Sequence, residues 1–379
     1  MKTPRVASNT VDALLVFADI IDSSKFSSVL GFVEYAKRLT EFRHIFNTLG
    51  ERYFPLPKDK TLDFSQVDAR GDEGTVFCIA RGKKEKRELI FRAIEFLYHL
   101  KGHLYLGFDS SEKAKPESPI RMELGAGIHC GTVAFATGIT EDNRSEIAHI
   151  DGFAINKAKR VESASRAGNF SKILLSKEAA RLLEGEPILL SRLNVGMKGI
   201  EERAELYEVK SGLFGGLKIE PANDQRVIDL ARKFGDYPDR MDEAWLKPLT
   251  ISILDIMMKK TMVVSLQEEY HNQQLKIAWS SSIEDDPILI YLRARHYQNQ
   301  GKYTQQIRHL KSILDQHPEF VFAKKRMVEA CWKIALQGSE PAEKVFARDV
   351  AEEFLTNFSH FLSSEEKKQF GDIIEASKQ

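Results

Sequence analysis

The sequence predicts an α+β sandwich followed by an all-α, tetratricopeptide-like domain. Three observations carry that expectation. Residues 1–210 alternate short, β-branched apolar runs with segments of helical periodicity. The Gly-rich stretch "KSGLFGG" (210–216) then interrupts the pattern. Beyond it, apolar residues recur only at helical spacing. A chain of 379 residues is long for one domain and comfortable for two. The expected division is a first domain over 1–210, a linker over 211–224 and a helical domain over 225–379.

Within the first domain, "ALLVFADII" (13–21) is a buried-strand pattern that ends in a carboxylate. Phe32, Tyr35, Leu39, Phe42 and Phe46 mark a helix over 31–53. "GTVFCIA" (74–80) reads as a strand, and "KRELIFRAIEFLYHLKG" (86–102) as an amphipathic helix closed by Gly102. A polar loop spans 107–119. "RMELGAGIHCGTVAFATG" (121–138) predicts two strands around a glycine-rich turn, and a helix follows over about 153–167. "KILLS" (172–176), a helix from Lys177 and the strand "AELYEVK" (204–210) finish the unit. This βαββαβ-like order with antiparallel hairpins is that of an α+β sandwich.

In the second half, residues 287–320 have the layout of one tetratricopeptide-like hairpin. Gly301 marks the turn, Tyr303 opens the second helix and Pro318 follows it. One such unit cannot bury its own faces, so helices from 225–280 and 322–360 must pack on it.

Composition narrows the function classes. The 55 basic and 55 acidic residues cancel, so no overall positive field argues for nucleic-acid binding. The run "RGKKEKRE" (81–88) reads as a solvated turn and helix start. No apolar run approaches the roughly 20 residues that cross a bilayer. The first residues lack the apolar core and cleavage site of a secretory signal. Cys78, Cys130 and Cys331 are too far apart for a zinc pattern or a disulfide framework and are expected as buried small hydrophobes. A soluble cytoplasmic protein with no membrane partner is the expectation.

Three segments are polar where a simple core would not be. "VDARGDEGTVF" (67–77) places Asp68, Arg70 and Asp72 at alternate positions, on one face of an extended chain. The strand 13–21 reaches Asp19 and is followed by "IIDSS". Asn156 and Arg160 share a helix face by their i, i+4 spacing. Two carboxylates from adjacent strand ends are a common way to hold Mg²⁺ or Mn²⁺ against phosphate oxygens. Free amides after Asp19, with Ser23 and Ser24, suit a triphosphate. An arginine suits charge developing on a phosphorus in transfer.

"FADIIDSSKFSSVLG", "GDEGTVF", "GAGIHCGTV", "GFAINKAKRVE" and "MKGIEERAELYEV" stand in the order and spacing of the class III nucleotidyl cyclase catalytic domain. Residues 10–210 resemble that family, whose fold is a ferredoxin-like, palm-type sandwich. The resemblance implies conversion of a nucleoside triphosphate to a 3′,5′-cyclic monophosphate and pyrophosphate. It implies two metal ions per site, Mn²⁺ or Mg²⁺, held by Asp19, Asp72 and the carbonyl of Ile20. Ser23 and Ser24 fall in the phosphate-binding loop, and Lys198 lies near the triphosphate-binding lysine. Asn156 matches the residue that orients the ribose, and Arg160 the one that stabilises the pentavalent phosphorus. In the family the two halves of a site come from opposite subunits, which implies a head-to-tail homodimer.

Base choice follows from departures. Adenylate cyclases of the family carry lysine four residues before the second metal aspartate, where this chain has Asp68. Three residues before the glycine that opens the Asn/Arg helix they carry aspartate or threonine, where this chain has His149. A carboxylate in place of an ammonium exchanges donors for an acceptor, so the usual reading of adenine is lost. Arg70 shares the face of Asp68, and its donor fork suits carbonyl oxygens. Uracil offers a ring N–H and carbonyls, which puts UTP ahead of CTP. A cyclase with an appended helical domain resembles the pyrimidine cyclases of the bacterial Pycsar anti-phage system, whose product activates a separate effector. Three other readings stand beside these. The substrate is a purine triphosphate, GTP first. The chain is a silent nucleotide-binding sensor. Arg70 and Asp68 form only a structural ion pair. His129 is expected to be structural, and His149 a satisfied polar residue.

Overall fold

The computed structural model describes residues 8–55, 65–106, 122–139, 145–196, 203–212, 214–219, 224–238, 241, 243–280, 287–318, 320–336, 341–359 and 364–376. Its first half is a mixed sheet of β1 (Ser8–Ile20), β2 (Ser65–Arg70), β3 (Glu73–Ile79), β4 (Leu124–Ile139), β5 (Ser145–Asp151), β6 (Ile173–Ser176), β7 (Ile188–Val195) and β8 (Ala204–Gly212). The spatial order is β2-β3-β1-β4-β6-β8-β7, and β5 pairs with β4. β1 is antiparallel to both β3 and β4, whereas β4 and β6 run parallel. Helices α1 (Ser23–Leu30), α2 (Phe32–Tyr53), α3 (Gly82–Leu106), α4 (Phe153–Ser163) and α5 (Lys177–Arg181) complete this α+β unit.

The parity of β1 explains its composition. Leu14, Val16, Ala18 and Ile20 join the core built with α2 and α3, while Ala13 and Leu15 pack with Ala154 and Ala158 of α4. A strand covered on both faces reads as a continuous apolar run, as residues 13–18 do. Odd positions of β1 therefore point to the α4 side of the sheet, and Asp19 continues that row.

Two expectations are corrected here, both at glycines. Residues 121–138 do not form two strands around a turn: β4 runs unbroken from Leu124 to Ile139. Its glycines make room for the segment that crosses it. A Cβ on Gly127 would lie 2.2 Å from the amide nitrogen of Glu162, and one on Gly125 would lie 2.1 Å from Ser165 Oγ. Nor does Gly102 close its helix, because α3 continues to Leu106. A Cβ there would meet Leu249 at 2.9 Å, so this glycine also serves a close approach.

The rest of the described chain is helical. α6 (Gln225–Asp236) and α7 (Leu246–Lys260) share the sheet's own core through Val227, Phe234 and Leu249, and Phe214 and Leu217 before them are buried in it too. α8 (Val264–Trp279) packs on α9 (Pro287–Asn299) through Ile277 and Leu289. α9 and α10 (Tyr303–Gln316) form a hairpin that turns at Gly301, where φ is 70°. α11 (Val321–Leu336) closes on that pair through Phe322 and Ala323. α12 (Pro341–Phe358) and α13 (Ser364–Ala376) meet through Phe354 and Phe370. Among the described residues no helix is long and apolar enough to cross a membrane. Cys78, Cys130 and Cys331 are buried.

Candidate active site

Asp19 stands opposite Glu73 in the β1–β3 register, so both carboxylates leave the sheet on its α4 side. The β2–β3 hairpin closes through Gly71 and Asp72. Gly71 takes a φ of 64°, the left-handed conformation that a tight hairpin turn demands of its first central residue. Asp72 is then carried to the end of β1, where its carbonyl accepts the amide of Ile20 at 3.2 Å. Its carboxylate accepts the hydroxyl of Ser23, the first residue of α1. This corrects the simple alternation: Asp72 lies in the turn and not on the β2 face with Asp68 and Arg70, because the chain reverses at Gly71.

Electrostatics set this corner apart. Burial raises the Asp19 carboxyl to about 6, and the neighbouring charges of Asp72 and Glu73 push the same way. Its side chain is 22% exposed, and Arg166 approaches only to 3.9 Å. Glu162 of α4 rises to about 7, first by burial and then by the charge of Asp19. Lys159 answers Glu73 at 2.8 Å. Crowded, partly desolvated carboxylates repel one another, and an oxygen-seeking divalent cation relieves both costs. The residues present therefore fit such an ion.

Ile20 is buried and its amide bonds to Asp72. Ser24 is exposed in the first turn of α1, which begins after Asp22 in a left-handed conformation. Asp68 and Arg70 bond to each other, Nε to Oδ2 at 2.8 Å, with the Arg70 side chain 87% exposed. Asp68 faces the same side of the sheet as its partner Thr75. Asn156 is exposed and Arg160 half-buried on α4. Among the described residues no hydrogen bond or ion pair joins either to Asp19 or Asp72 within the chain. Lys198 and the side chain of His149 lie outside the described residues. His129 is buried and bonded to Ser176 at 2.8 Å.

Sequence reasoning missed Glu73, Lys159, Glu162 and Arg166, the groups that surround Asp19. One signal for Glu162 was present. The buried stripe of α4 is Ala154, Ala158, Val161 and Glu162, so an acid stands on an otherwise apolar face.

No protein-family model matches the chain, and no curated protein matches it. Solved structures of cyclases do resemble it. The adenylyl cyclase CyaB from P. aeruginosa is 21% identical over 54% of this chain and 97% of that one, with a TM-score of 0.42. The guanylyl cyclase Cya2 is 14% identical over 56% and 98%, with a TM-score of 0.41. The guanylate cyclase domain of RhGC from Catenaria anguillulae, in complex with GTP, is 16% identical over 54% and 99%, with a TM-score of 0.37.

Proposed function

We propose that the chain is a pyrimidine nucleotide cyclase, converting UTP ahead of CTP to the 3′,5′-cyclic monophosphate and pyrophosphate. The observation that carries the cyclase chemistry is the stitched corner, where the Ile20–Asp72 backbone bond sets Asp72 beside the partly desolvated carboxylate of Asp19. The collinear motifs of residues 10–210 support the same reading.

In the reaction, the ribose 3′-hydroxyl gives its proton to solvent as its oxygen bonds to the α-phosphorus, the bond from that phosphorus to the oxygen bridging to the β-phosphate breaks, and pyrophosphate leaves with that electron pair. Two Mg²⁺ or Mn²⁺ ions, held by Asp19, Asp72 and the Ile20 carbonyl, would supply Lewis-acid activation and neutralise phosphate charge. Ser23, Ser24 and the amides that open α1 bind phosphate oxygens, and Lys198 adds a cation. Asn156 orients the ribose, and Arg160 stabilises the pentavalent phosphorus. Both act on a site of a second copy, so the working form is a head-to-tail homodimer with shared sites. The exposed faces of Asn156 and of Arg160's helix suit that role. Asp68 accepts from the uracil ring N–H while Arg70 donates to a carbonyl. The product serves as a cytoplasmic second messenger of anti-phage defence that activates a separate effector, with the tetratricopeptide-like helices regulating the cyclase.

A second reading, GTP as substrate, rests on Asp68, an acceptor that also suits the ring N–H and exocyclic amine of guanine. Incubation with Mn²⁺ and each of the four triphosphates, with products identified by mass, separates the readings. Cyclic UMP is expected; cyclic GMP or AMP with no pyrimidine product overturns the base assignment.

A further inference from the structure

The sheet unit and the helices after it are joined by a second polar cluster, on the α2–α3 side of the sheet and so opposite Asp19. His99 and His103 are one turn apart on α3, so both imidazoles project from one face. Each presents Nε2 to the same carboxylate oxygen of Asp224, at 3.1 and 3.0 Å. Asp224 immediately precedes α6, so the cluster bridges elements far apart in sequence. The three donor atoms lie within 4.8 Å of one another, and His99 and Asp224 are buried.

We propose that His99, His103 and Asp224 bind one divalent transition-metal ion, Zn²⁺ by donor type, that ties α6 to α3. Two imidazoles and one carboxylate form a borderline donor set that suits zinc and disfavours magnesium. Ligands of a tetrahedral zinc with bonds of 2.0–2.1 Å stand about 3.3 Å apart, close to the two spacings from the imidazoles to Asp224. The surroundings hold the ligands in place. The Tyr53 hydroxyl meets His99 Nδ1 at 3.2 Å, and Arg52 donates to the second oxygen of Asp224 at 2.8 Å. Such outer partners fix ring orientation and carboxylate geometry in metal sites. The His103 side chain is 13% exposed, which leaves the fourth position open to water. This ion takes no part in nucleotide chemistry, and its site does not depend on the cyclase reading.

The test uses full-length protein stripped with chelator and carrying Asp72→Ala, which weakens the other metal-binding corner. Co²⁺ is titrated while visible absorption is followed, Zn²⁺ is then added in competition, and melting is recorded with and without Zn²⁺. One Co²⁺ per chain with intense tetrahedral bands, displaced by Zn²⁺, is expected, together with a Zn²⁺-dependent rise in Tm. His103→Ala should weaken Zn²⁺ binding at least about tenfold. Absence of both the bands and the Tm rise in the chain with all three ligands intact overturns the proposal and leaves a hydrogen-bonded strap. Unchanged Zn²⁺ affinity in His103→Ala overturns it as well.

Discussion

The amide of Ile20 donates to the carbonyl of Asp72 across 3.2 Å, and this bond fixes where two carboxylates from different strands meet. Asp19 precedes the donor, and Asp72 carries the acceptor. Neither side chain is positioned by a long flexible loop; both hang from the ends of paired strands, the placement that suits a preorganised site.

Asp19→Asn separates function from stability. Asp19 is held near pH 6 by burial and by the charges of Asp72 and Glu73, so its ionised form is a local cost at neutral pH. The amide should leave Tm unchanged or raise it by a few degrees in metal-free buffer. Cyclic nucleotide formation should fall by at least about a hundredfold, as the metal-ligand role proposed for Asp19 requires. Thermal melts beside a product assay check both halves; wild-type turnover in the variant contradicts the role given to Asp19.

Gly127→Ala tests the crossing of α4 over β4. The new Cβ would meet the Glu162 backbone at 2.2 Å, where no side chain can rotate away. The expected loss is about 2–4 kcal/mol in urea unfolding, from the strain of forcing α4 off the strand. A loss within about 0.5 kcal/mol means that α4 yields freely.

That glycine run also shows what the sequence could and could not convey. β1, α2, β3 and α3 were legible because β1 is apolar on both faces and α2 and α3 are periodic, whereas α1, which buries no residue, was not. The glycines at 125, 127 and 102 read as punctuation, yet their reason is close tertiary approach, which local pattern does not encode. Asp19 and Asp72 were legible as strand-end carboxylates. The parity of Asp72 was not, since a two-residue turn at Gly71 changes which face follows. The groups around Asp19 come from the β3 start, from α4 and from the turn after it, and no spacing rule in one segment links them.

His129 carries a pH dependence. Burial, and then the charge of Lys157, hold its imidazole neutral down to about 4, against an ordinary value near 6.5, while Glu178 opposes the shift. The unfolded chain therefore binds the proton first. The stability that this neutrality supports is complete above about pH 6.5 and is lost as pH falls towards about 4, amounting to about 2–3 kcal/mol. Denaturation of wild type and His129→Gln across pH 4–8 checks it, with the variant expected to show the flatter profile. Equal slopes contradict the assignment.

Mixing inactive protomers tests the shared site. Asp19→Ala and Arg160→Ala chains, each inactive alone, should regain up to one working site per mixed dimer. Product appearing only on mixing is the expected result. If activity does not return, Arg160 does not serve a partner's aspartates.

The most direct measurement of the central claim is pyrophosphate release together with cyclic product in wild type and in Asp72→Ala. Wild type with Mn²⁺ and UTP is expected to form cyclic UMP and pyrophosphate in equal amounts, and Asp72→Ala, folded by circular dichroism, to form neither. The claim is contradicted if wild type forms no cyclic product from any triphosphate, or if Asp72→Ala matches it.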